Sequence, residues 1–324
     1  MNKSKKYFII IETVLGLMVL VLGIIMLSDR TGNKLGRVSV IVRDSDDAQW
    51  AAFKYGIRMA AADRDVEAVI VGTESVLTAE EEEQLLESEI NNGADALIVQ
   101  PIPGEDTADM LKRIRKRVPV MLVEQLSSEN GEVSTLPVAG TDNYALGAAL
   151  AGELLEDYSG SLEGKTLGIL SRTTDSDTTV SRITGFCDAI KGTGAEVKWQ
   201  VAGNFDNGEG DYLDAQNRVD FVIALDDSSL TAAGEALTAG GMYGALLYGI
   251  GHSTQAAYYV DKGIVECLAV PDEFNTGYQS VNEIADRLEQ PFYRMKNQTV
   301  SYTMLRRETL FLEKNQELLF TMSQ

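Results

Sequence analysis

The chain has 324 residues, more than one hydrophobic core usually supports, so two packed lobes are expected. Its 49 acidic residues outnumber its 28 basic residues and give a formal net charge of −21, which argues against nucleic acid as a partner because phosphate binding requires clustered Lys and Arg. Outside the N-terminus the basic cluster is KRIRKR at residues 112–117, which falls late in a predicted helix, where cations complement the helix dipole.

The first segment of the chain is an apolar run at residues 7–27, preceded by three lysines. A helix of that length crosses a hydrocarbon core of about 30 Å. The lysines place the N-terminus in the cytoplasm and everything after Ser28 outside the cell. A cleavable signal peptide is the alternative, but the run is long for one and no small-x-small cleavage site follows it. The sequence therefore predicts an uncleaved, single-pass membrane anchor over residues 1–28.

Residues 36–64 form the first unit beyond the anchor and its linker. The apolar residues between Val38 and Val42 predict a strand that ends at a charged residue. A polar loop follows, and then an amphipathic helix with Asp46 or Asp47 as its N-cap. The apolar face of the predicted helix consists of Trp50, Phe53, Ile57 and Ala60 or Ala61. In a parallel sheet the loop after a strand meets the ligand, so residues 44–50 are expected to form one wall of a site.

Strands and helices then alternate along the whole chain. The predicted strands are 67–71, 94–99, 118–123, 136–139, 165–170, 196–201, 219–224, 244–249 and 264–270. The predicted helices are 78–91, with the run Glu80–Glu83 as a solvated first turn, 107–117, 143–156, 178–190, 228–237, 256–262 and 275–288. Such alternation requires right-handed crossovers and parallel sheets covered on both faces. The sequence predicts an α/β fold of two doubly wound parallel-sheet lobes, with the ligand cleft between them.

Nine segments carry a family resemblance. In the first half they are DDAQWAAFKYGIRMAA, GADALIVQPI, VPVMLVEQ and VAGTDNYALGAALAGELL; in the second half they are SRITGFCDAI, NFDN, VDFVIALDDSSLTAAGEAL, YGIG and DKGIVECLAVPDEFNTGYQSVNEI. From Gly36 to about Asn315 the chain resembles the type I periplasmic binding proteins of the ribose-binding kind, which share their fold with the effector domains of LacI-type repressors. The resemblance implies hinge-closing capture of a small solute.

The resemblance also implies a domain arrangement with three hinge crossings. Its parts are the anchor at 1–28, lobe 1 at 37–141 plus 273–301, lobe 2 at 142–271 plus 302–315, and a tail at 316–324. The crossings are expected near residues 140–143, 271–273 and 299–302, where three strands would form the hinge. The segment from Leu305 to Gln324 extends past the usual end of the family and is expected to add a strand and a helical cap.

Carried over by position, the resemblance implies a set of ligand-binding residues in the cleft. They are Asp47, Trp50, Glu124, Gln125, Thr141, Arg182, Phe205 and Asp226. The two aromatic residues would stack on sugar faces, and the polar ones would bind hydroxyls. Each has an alternative: core or loop packing for Trp50 and Phe205, a surface ion pair for Arg182, and, for Asp226 or Asp227, an N-cap.

Three positions depart from the family pattern. Gly251 stands where an acid is usual, Pro271 where a glutamine often closes the pocket, and Gln125 where an arginine is expected. The last change leaves Arg182 as the local counter-charge for the acidic residues of the site. The pattern therefore points to a sugar or amino-sugar-like solute rather than an ordinary hexose or pentose pose.

Neither a metal nor a cofactor is expected. His252 is the single histidine, which excludes a histidine-ligated metal cluster and most triad chemistry. We expect it in a solvent-facing loop, and contact with the ligand is the alternative because it follows the strand end at Gly251. Cys187 and Cys267 lie in apolar contexts and are expected to be unpaired thiols. The GIG at 249–251 lacks the third glycine of a dinucleotide fingerprint. An enzyme on this fold is therefore disfavoured.

The sequence leaves two functions in play for a protein held at the cell membrane with its binding domain outside. The first is a membrane-tethered solute-binding protein that feeds an ABC-type importer. The second is a ligand-sensing receptor that passes its occupancy to a membrane sensor kinase. A repressor is excluded, because the apolar run at 7–27 takes the place of a DNA-binding headpiece.

Overall fold

The computed structural model describes residues 16, 18, 34–43, 45, 50–73, 77–123, 135–203, 205, 213 and 215–324. The predicted anchor at 7–27 lies outside the described residues apart from Gly16 and Met18, and it stays a prediction. Within the described ranges, the helices are all too short or too polar to cross a bilayer.

Strands and helices alternate through the described chain, with ends a few residues from those predicted. The strands are β1 Gly36–Arg43, β2 Val66–Thr73, β3 Ala96–Val99, β4 Val120–Leu122, β5 Ala139–Thr141, β6 Thr166–Ser171, β7 Glu196–Ala202, β8 Phe221–Ala224, β9 Leu246–Ile250, β10 Val265–Pro271, β11 Gln298–Val300 and β12 Tyr302–Leu305. The helices are α1 Ala51–Asp63, α2 Ala79–Asn91, α3 Glu105–Ile114, α4 Asn143–Asp157, α5 Asp177–Ile190, α6 Asp227–Thr238, α7 Thr254–Asp261, α8 Glu273–Glu289 and α9 Glu313–Met322.

The first lobe is built on a parallel four-stranded sheet in the order β2-β1-β3-β4. Helix α8, from late in the chain, packs against α1 on one face of this sheet. Two glycines bring these helices together: a Cβ at Gly56 would overlap the carbonyl oxygen of Phe274, and a Cβ at Gly277 that of Phe53. The first lobe is therefore completed by a helix more than 200 residues from its first strand.

The second lobe contains a six-stranded sheet in the order β12-β10-β9-β8-β6-β7. Its strands run parallel except β12, which pairs with β10 in the antiparallel sense because the chain returns to this sheet from the first lobe. Helices α4 and α5 repeat the close packing of the first lobe: a Cβ at Gly147 would overlap the carbonyl oxygen of Arg182, and a Cβ at Gly185 that of Tyr144. Each lobe thus has a helix pair whose backbones come into close contact at two glycines.

Three chain crossings join the lobes. Strands β5 and β11 pair in a small two-stranded parallel sheet, and the third crossing passes from β10 into α8. There the amide nitrogen of Asp272 donates to the carbonyl oxygen of Ser301 at 3.0 Å. The hinge sheet has two strands rather than the predicted three, because Asp272 is already the N-cap of α8 and accepts a bond from the Asn275 amide at 3.0 Å.

Of two local predictions about helix starts, one lies outside the described residues and one is wrong. Trp50 precedes α1 without a side-chain cap bond, and the predicted N-cap role of Asp46 or Asp47 falls on residues outside the described ones and stays a prediction. The first turn of α2 is not fully solvated, because Glu82 is buried at 1% exposure. Burial raises the pKa of Glu82 to about 7, although the Ile102 amide donates to its carboxylate.

The last helix, α9, lies across the outside of the lobe junction. Leu310 and Met322 are buried in the core of the second lobe. The ring of Phe320 contacts Tyr55 of α1 in the first lobe, with the ring centroids 6.0 Å apart. The predicted helical cap of this tail is present as α9, but the described residues after Leu305 contain no strand, because β12 ends there. The predicted lobe end at residue 315 falls inside α9.

Candidate functional site

A cavity of about 420 Å³ lies between the two lobes. Residues at or just after the carboxyl ends of five strands line it, as parallel sheets require, because loops leave the sheet at that edge. They are Arg43 after β1, Gln100 after β3, Arg172 after β6, Asp226 after β8 and Gly251 after β9. The strand ends of both lobes therefore converge on one space.

The hinge supplies a further side of the cavity. Thr141 at the end of β5 lines it together with Gln298 and Thr299 of β11. Asp142 follows Thr141 and caps α4, accepting a bond from the Ala145 amide at 2.9 Å. The predicted position of Thr141 beside the cleft thus agrees with the structure, whereas its contact with a ligand stays a prediction.

Arg182 lies on the cavity wall of the second lobe, half-buried on α5. Its Nε donates to Oδ1 of Asn143 at 2.8 Å, and its Nη1 donates to the carbonyl oxygen of Leu225 at 2.6 Å. These bonds tie the guanidinium to the start of α4 and to the end of β8. The side chain is therefore held at the cleft rather than on the outer surface.

Two adjacent carboxylates organise the loops on the same wall. Asp226 is the N-cap of α6: its Oδ1 accepts from the Ser229 amide at 2.8 Å, and its Oδ2 accepts from the Arg172 amide at 2.7 Å. Asp227 is buried and accepts from the amides of His252 at 2.8 Å and Ser253 at 3.0 Å. One residue does cap, as predicted, but both carboxylates line the cavity.

His252 faces the cavity, and its predicted solvent-facing position is wrong. Its side chain is 14% exposed, and its Nε2 lies 3.4 Å from Oδ2 of Asp227. The neighbouring Gly251 makes room for this arrangement, since a Cβ there would lie 2.8 Å from Oδ1 of Asp227. The two amide contacts therefore hold this loop against the Asp227 carboxylate, and the imidazole of His252 lies beside the same carboxylate.

The two predicted aromatic residues have different environments. Trp50 packs in the core of the first lobe, with its ring 5.3 Å from that of Phe53 and its Nε1 donating to the Arg43 carbonyl at 2.8 Å, and it also lines the cavity. Core packing and access to the cleft thus both hold for Trp50. Phe205 is buried in the core of the second lobe and is not among the described residues that line the cavity, because its ring packs inward.

Three predicted site residues, Asp47, Glu124 and Gln125, lie outside the described residues. The expectation that Arg182 alone supplies positive charge is wrong, because Arg43 and Arg172 also line the cavity. Arg43 is the last residue of β1, and Arg172 directly follows β6; along the chain, each of these strands is the first of the sheet in its lobe. That repeated position was the available sequence signal for these two cations.

Three cavity-lining side chains carry a buried polar atom without a hydrogen-bond partner in the described part of the chain. They are Thr141 at Oγ1, Thr178 at Oγ1 and His252 at Nδ1. An unpaired buried polar group costs about 1–3 kcal/mol, so these atoms favour a guest that offers hydrogen bonds. The described residues contain no group of three or more His, Cys, Asp or Glu able to hold a metal ion.

Comparison with known proteins gives a consistent result. The family described as "Periplasmic binding protein domain" matches residues 38–290. A glucose-galactose binding protein, GanP of Geobacillus stearothermophilus, has a TM-score of 0.73 at 17% identity over 86% of this chain and 99% of its own. A carbohydrate transporter solute binding protein of Agrobacterium radiobacter, solved with D-arabinose, has a TM-score of 0.76 at 18% identity over 88% and 98%.

A third similar structure is the XylFII–LytSN complex, with a TM-score of 0.71 at 14% identity over 84% of this chain and 98% of that one. Comparison with curated protein sequences finds no match. The family match covers most of the chain and runs from within β1 through α8, so it includes the ends of β1, β3, β6, β8 and β9 around the cavity. The chain belongs to the periplasmic binding protein domain family.

Proposed function

We propose that this protein is a membrane-tethered, extracytoplasmic solute-binding protein that captures a small sugar-like molecule between its lobes for ABC-type import. The observation that carries the proposal is the interlobe cavity, whose lining residues Thr141, Thr178 and His252 each have a buried polar atom with no partner among the described residues. A polyhydroxy solute provides several hydroxyls close together. It would pair these atoms from the hinge and from the second lobe at once.

Capture follows from differential contact between two lobe arrangements. A solute that touches groups of both lobes gains more contacts when the lobes close, so its binding shifts the population toward the closed form. Arg43 and Trp50 supply contacts from the first lobe, and Arg172 and Arg182 supply them from the second. The three crossings beside Thr141, Asp272 and Ser301 would serve as the hinge for this closure.

The class of solute is supported by the similar structures. D-arabinose is bound by the Agrobacterium protein, and GanP is a glucose-galactose binding protein. The cavity lining contains three arginines and five acidic residues, so its charges do not select between a neutral sugar and a cationic amino sugar. A neutral sugar is the first class to test because of the similar structures, with D-glucosamine as the comparison.

The test is thermal unfolding of the full-length protein with D-arabinose, D-glucose, D-galactose and D-glucosamine, followed by calorimetric titration of any sugar that stabilises. A ligand at 100 times its dissociation constant stabilises the native state by about 2.7 kcal/mol, which raises the unfolding temperature by several degrees. Stabilisation by at least one neutral sugar supports the proposal. No stabilisation by any of the four contradicts it.

The membrane anchor and its orientation are part of the same proposal. The support is the long apolar run at 7–27 and the lysines that precede it. N-terminal sequencing of the membrane-bound protein should find residue 1 or 2, and protease added outside the cell should remove the chain after residue 28. A mature N-terminus between residues 25 and 40 would instead indicate a cleaved signal peptide.

A second candidate is a receptor that passes its occupancy to a membrane sensor kinase. The observation that favours it is the similarity to XylFII, which is solved as the XylFII–LytSN complex. Neighbouring genes separate the two candidates, since an importer requires a permease and an ATPase, whereas a receptor requires a kinase and a response regulator. Co-purification of a kinase with the full-length protein from its own membranes would favour the receptor.

A further inference from the structure

The single histidine of the chain is placed where it can act on a guest of the cavity. His252 lines the cavity, its side chain is 14% exposed, and its Nδ1 is buried without a hydrogen-bond partner in the described part of the chain. An imidazole in a surface loop would meet water on both nitrogens. Here Nε2 lies 3.4 Å from a carboxylate oxygen, and Nδ1 is buried with no partner among the residues that the structure describes.

Asp227 fixes this orientation through three contacts. Its two oxygens accept the amides of His252 and Ser253 at 2.8 and 3.0 Å, and Oδ2 also lies 3.4 Å from Nε2 of the imidazole. Gly251 is part of the arrangement, because a side chain there would press on Oδ1 of Asp227. The carboxylate therefore holds both the backbone and the ring of the loop.

The Asp227 carboxylate also favours one position for the ring proton. A neutral imidazole has one donor and one acceptor nitrogen, and a carboxylate accepts only. With Nε2 3.4 Å from Oδ2 of Asp227, electrostatic attraction favours a proton on Nε2, which leaves Nδ1 as an acceptor. Nδ1 of His252 is thus a hydrogen-bond acceptor, and its partner must be a donor.

We propose that the imidazole of His252, oriented by Asp227, is a ligand-binding group whose Nδ1 accepts a hydrogen bond from a hydroxyl of the bound solute. This inference rests on the proposed function, because it assigns a residue to the same cavity. His252 is the contacting group and Asp227 the positioning group. A solute with a hydroxyl at this point is favoured over an analogue in which hydrogen replaces the hydroxyl.

The test uses the one histidine as its own reporter. Full-length protein labelled with ¹⁵N at histidine gives a single pair of ring-nitrogen signals, recorded alone and with D-arabinose, D-glucose and D-galactose. Without sugar, we expect the Nε2–H tautomer with an unprotonated Nδ1. A sugar that stabilises the protein should move the Nδ1 signal more than the Nε2 signal. The Asp227→Asn variant should lose the tautomer preference.

Binding measurements on variants complete the test. His252→Phe keeps the ring shape but removes both nitrogens, and we expect its dissociation constant for the stabilising sugar to rise about tenfold, the loss of one hydrogen bond. His252→Asn, which keeps a polar atom near the position of Nδ1, should lose less. Tyr258→Phe, which removes a hydroxyl from the exposed face of α7, should bind as the parent does.

The outcomes separate the inference from the proposed function. An Nδ1–H tautomer in the free protein overturns the inference. So does a sugar that stabilises the protein yet leaves the Nδ1 signal and the affinity of His252→Phe unchanged, although the proposed function then stands. If neither these three sugars nor D-glucosamine stabilises the protein, the proposed function is contradicted and the inference falls with it.

Discussion

Phe320 of α9 contacts Tyr55 of α1 edge to face, with 6.0 Å between the ring centroids. Helix α9 is anchored in the second lobe through Met322, whereas α1 belongs to the first lobe. This ring pair therefore links the lobes outside the cavity and independently of the three hinge crossings. The tail of the chain is an integral part of the lobe arrangement rather than an appendage.

The ring pair should have a measurable coupling energy. A double-mutant cycle with Phe320→Leu and Tyr55→Leu, followed by urea unfolding, should give about 0.5–1.5 kcal/mol of coupling, as expected for an aromatic pair. The matched control is Phe311→Leu, because Phe311 is 67% exposed on the same tail. Coupling between Phe320 and Tyr55 no larger than that between Phe311 and Tyr55 would refute the link.

Arg182→Ala should weaken binding of the stabilising sugar by a factor of about 10–100, which corresponds to one charge-assisted contact of about 1.5–3 kcal/mol. Arg182→Lys should not restore affinity, because one ammonium cannot reach both Asn143 Oδ1 and the Leu225 carbonyl as the guanidinium does. Calorimetric titration measures both. Arg115→Ala, an exposed arginine of the first lobe, is the control, and equal affinities for Arg182→Ala and the parent would place the site elsewhere.

Glu82 should make stability depend on pH. Its pKa rises from 4.5 to about 7 in the folded state, so the stability associated with its protonated form is fully present below pH 4.5 and is lost as pH rises through about 7. Glu82→Gln mimics the protonated form. We therefore expect urea unfolding to show equal stability at pH 4.5 and an advantage of about 3 kcal/mol for Glu82→Gln at pH 8.

The neighbouring residue provides the control for this pH dependence. Glu83 is partly exposed, and its hydrogen-bonded ion pair with Arg113 lowers the pKa of its carboxyl. Glu83→Gln should therefore lower the free energy of unfolding only slightly, and by the same amount at pH 5 and pH 8. Parallel pH profiles for the parent and Glu82→Gln would mean that Glu82 is solvated after all.

Substitution by alanine should have opposite effects on stability at two glycines of α4. A methyl group at Gly147 would overlap the Arg182 carbonyl of α5, so Gly147→Ala should destabilise the protein by about 1–3 kcal/mol. Gly152, five residues further along the same helix, has no atom within 4 Å of a Cβ, and Gly152→Ala should stabilise by about 0.5–1 kcal/mol. Thermal unfolding compares the two, and a shift of the same sign for both would exclude close helix contact as the cause.

Much of the fold could be predicted because it depends on local periodicity. The buried run of β1 and the apolar stripe with Phe53 and Ile57 indicate a strand and a helix without knowledge of their partners. The N-cap Thr78, which shares a capping box with Glu81, marks the start of α2 from local chemistry alone. Such signals depend on neighbours within one turn or one strand.

The parts that could not be predicted depend on distant segments. Glu82 lies in a run of four glutamates, and its burial follows from the loop containing Ile102, which packs over it. The direction of His252 is set by Asp227, a residue 25 positions earlier on another strand end. Hydrophobic patterns carry no information on such contacts, so a solvent-facing histidine was the natural expectation.

The late position of α8 affects how the molecule is made. Five of the six strands in the second lobe sheet, β6 to β10, come from one continuous stretch of the chain. In the first lobe, the apolar surface of α1 is covered only when α8 has been synthesised. As the ribosome releases the chain from its N-terminus, the lobe that emerges first is therefore completed last. Until α8 packs against α1 at Gly56 and Gly277, the newly synthesised β1–α1 unit exposes apolar surface. This unit is therefore the segment that we expect chaperones to bind.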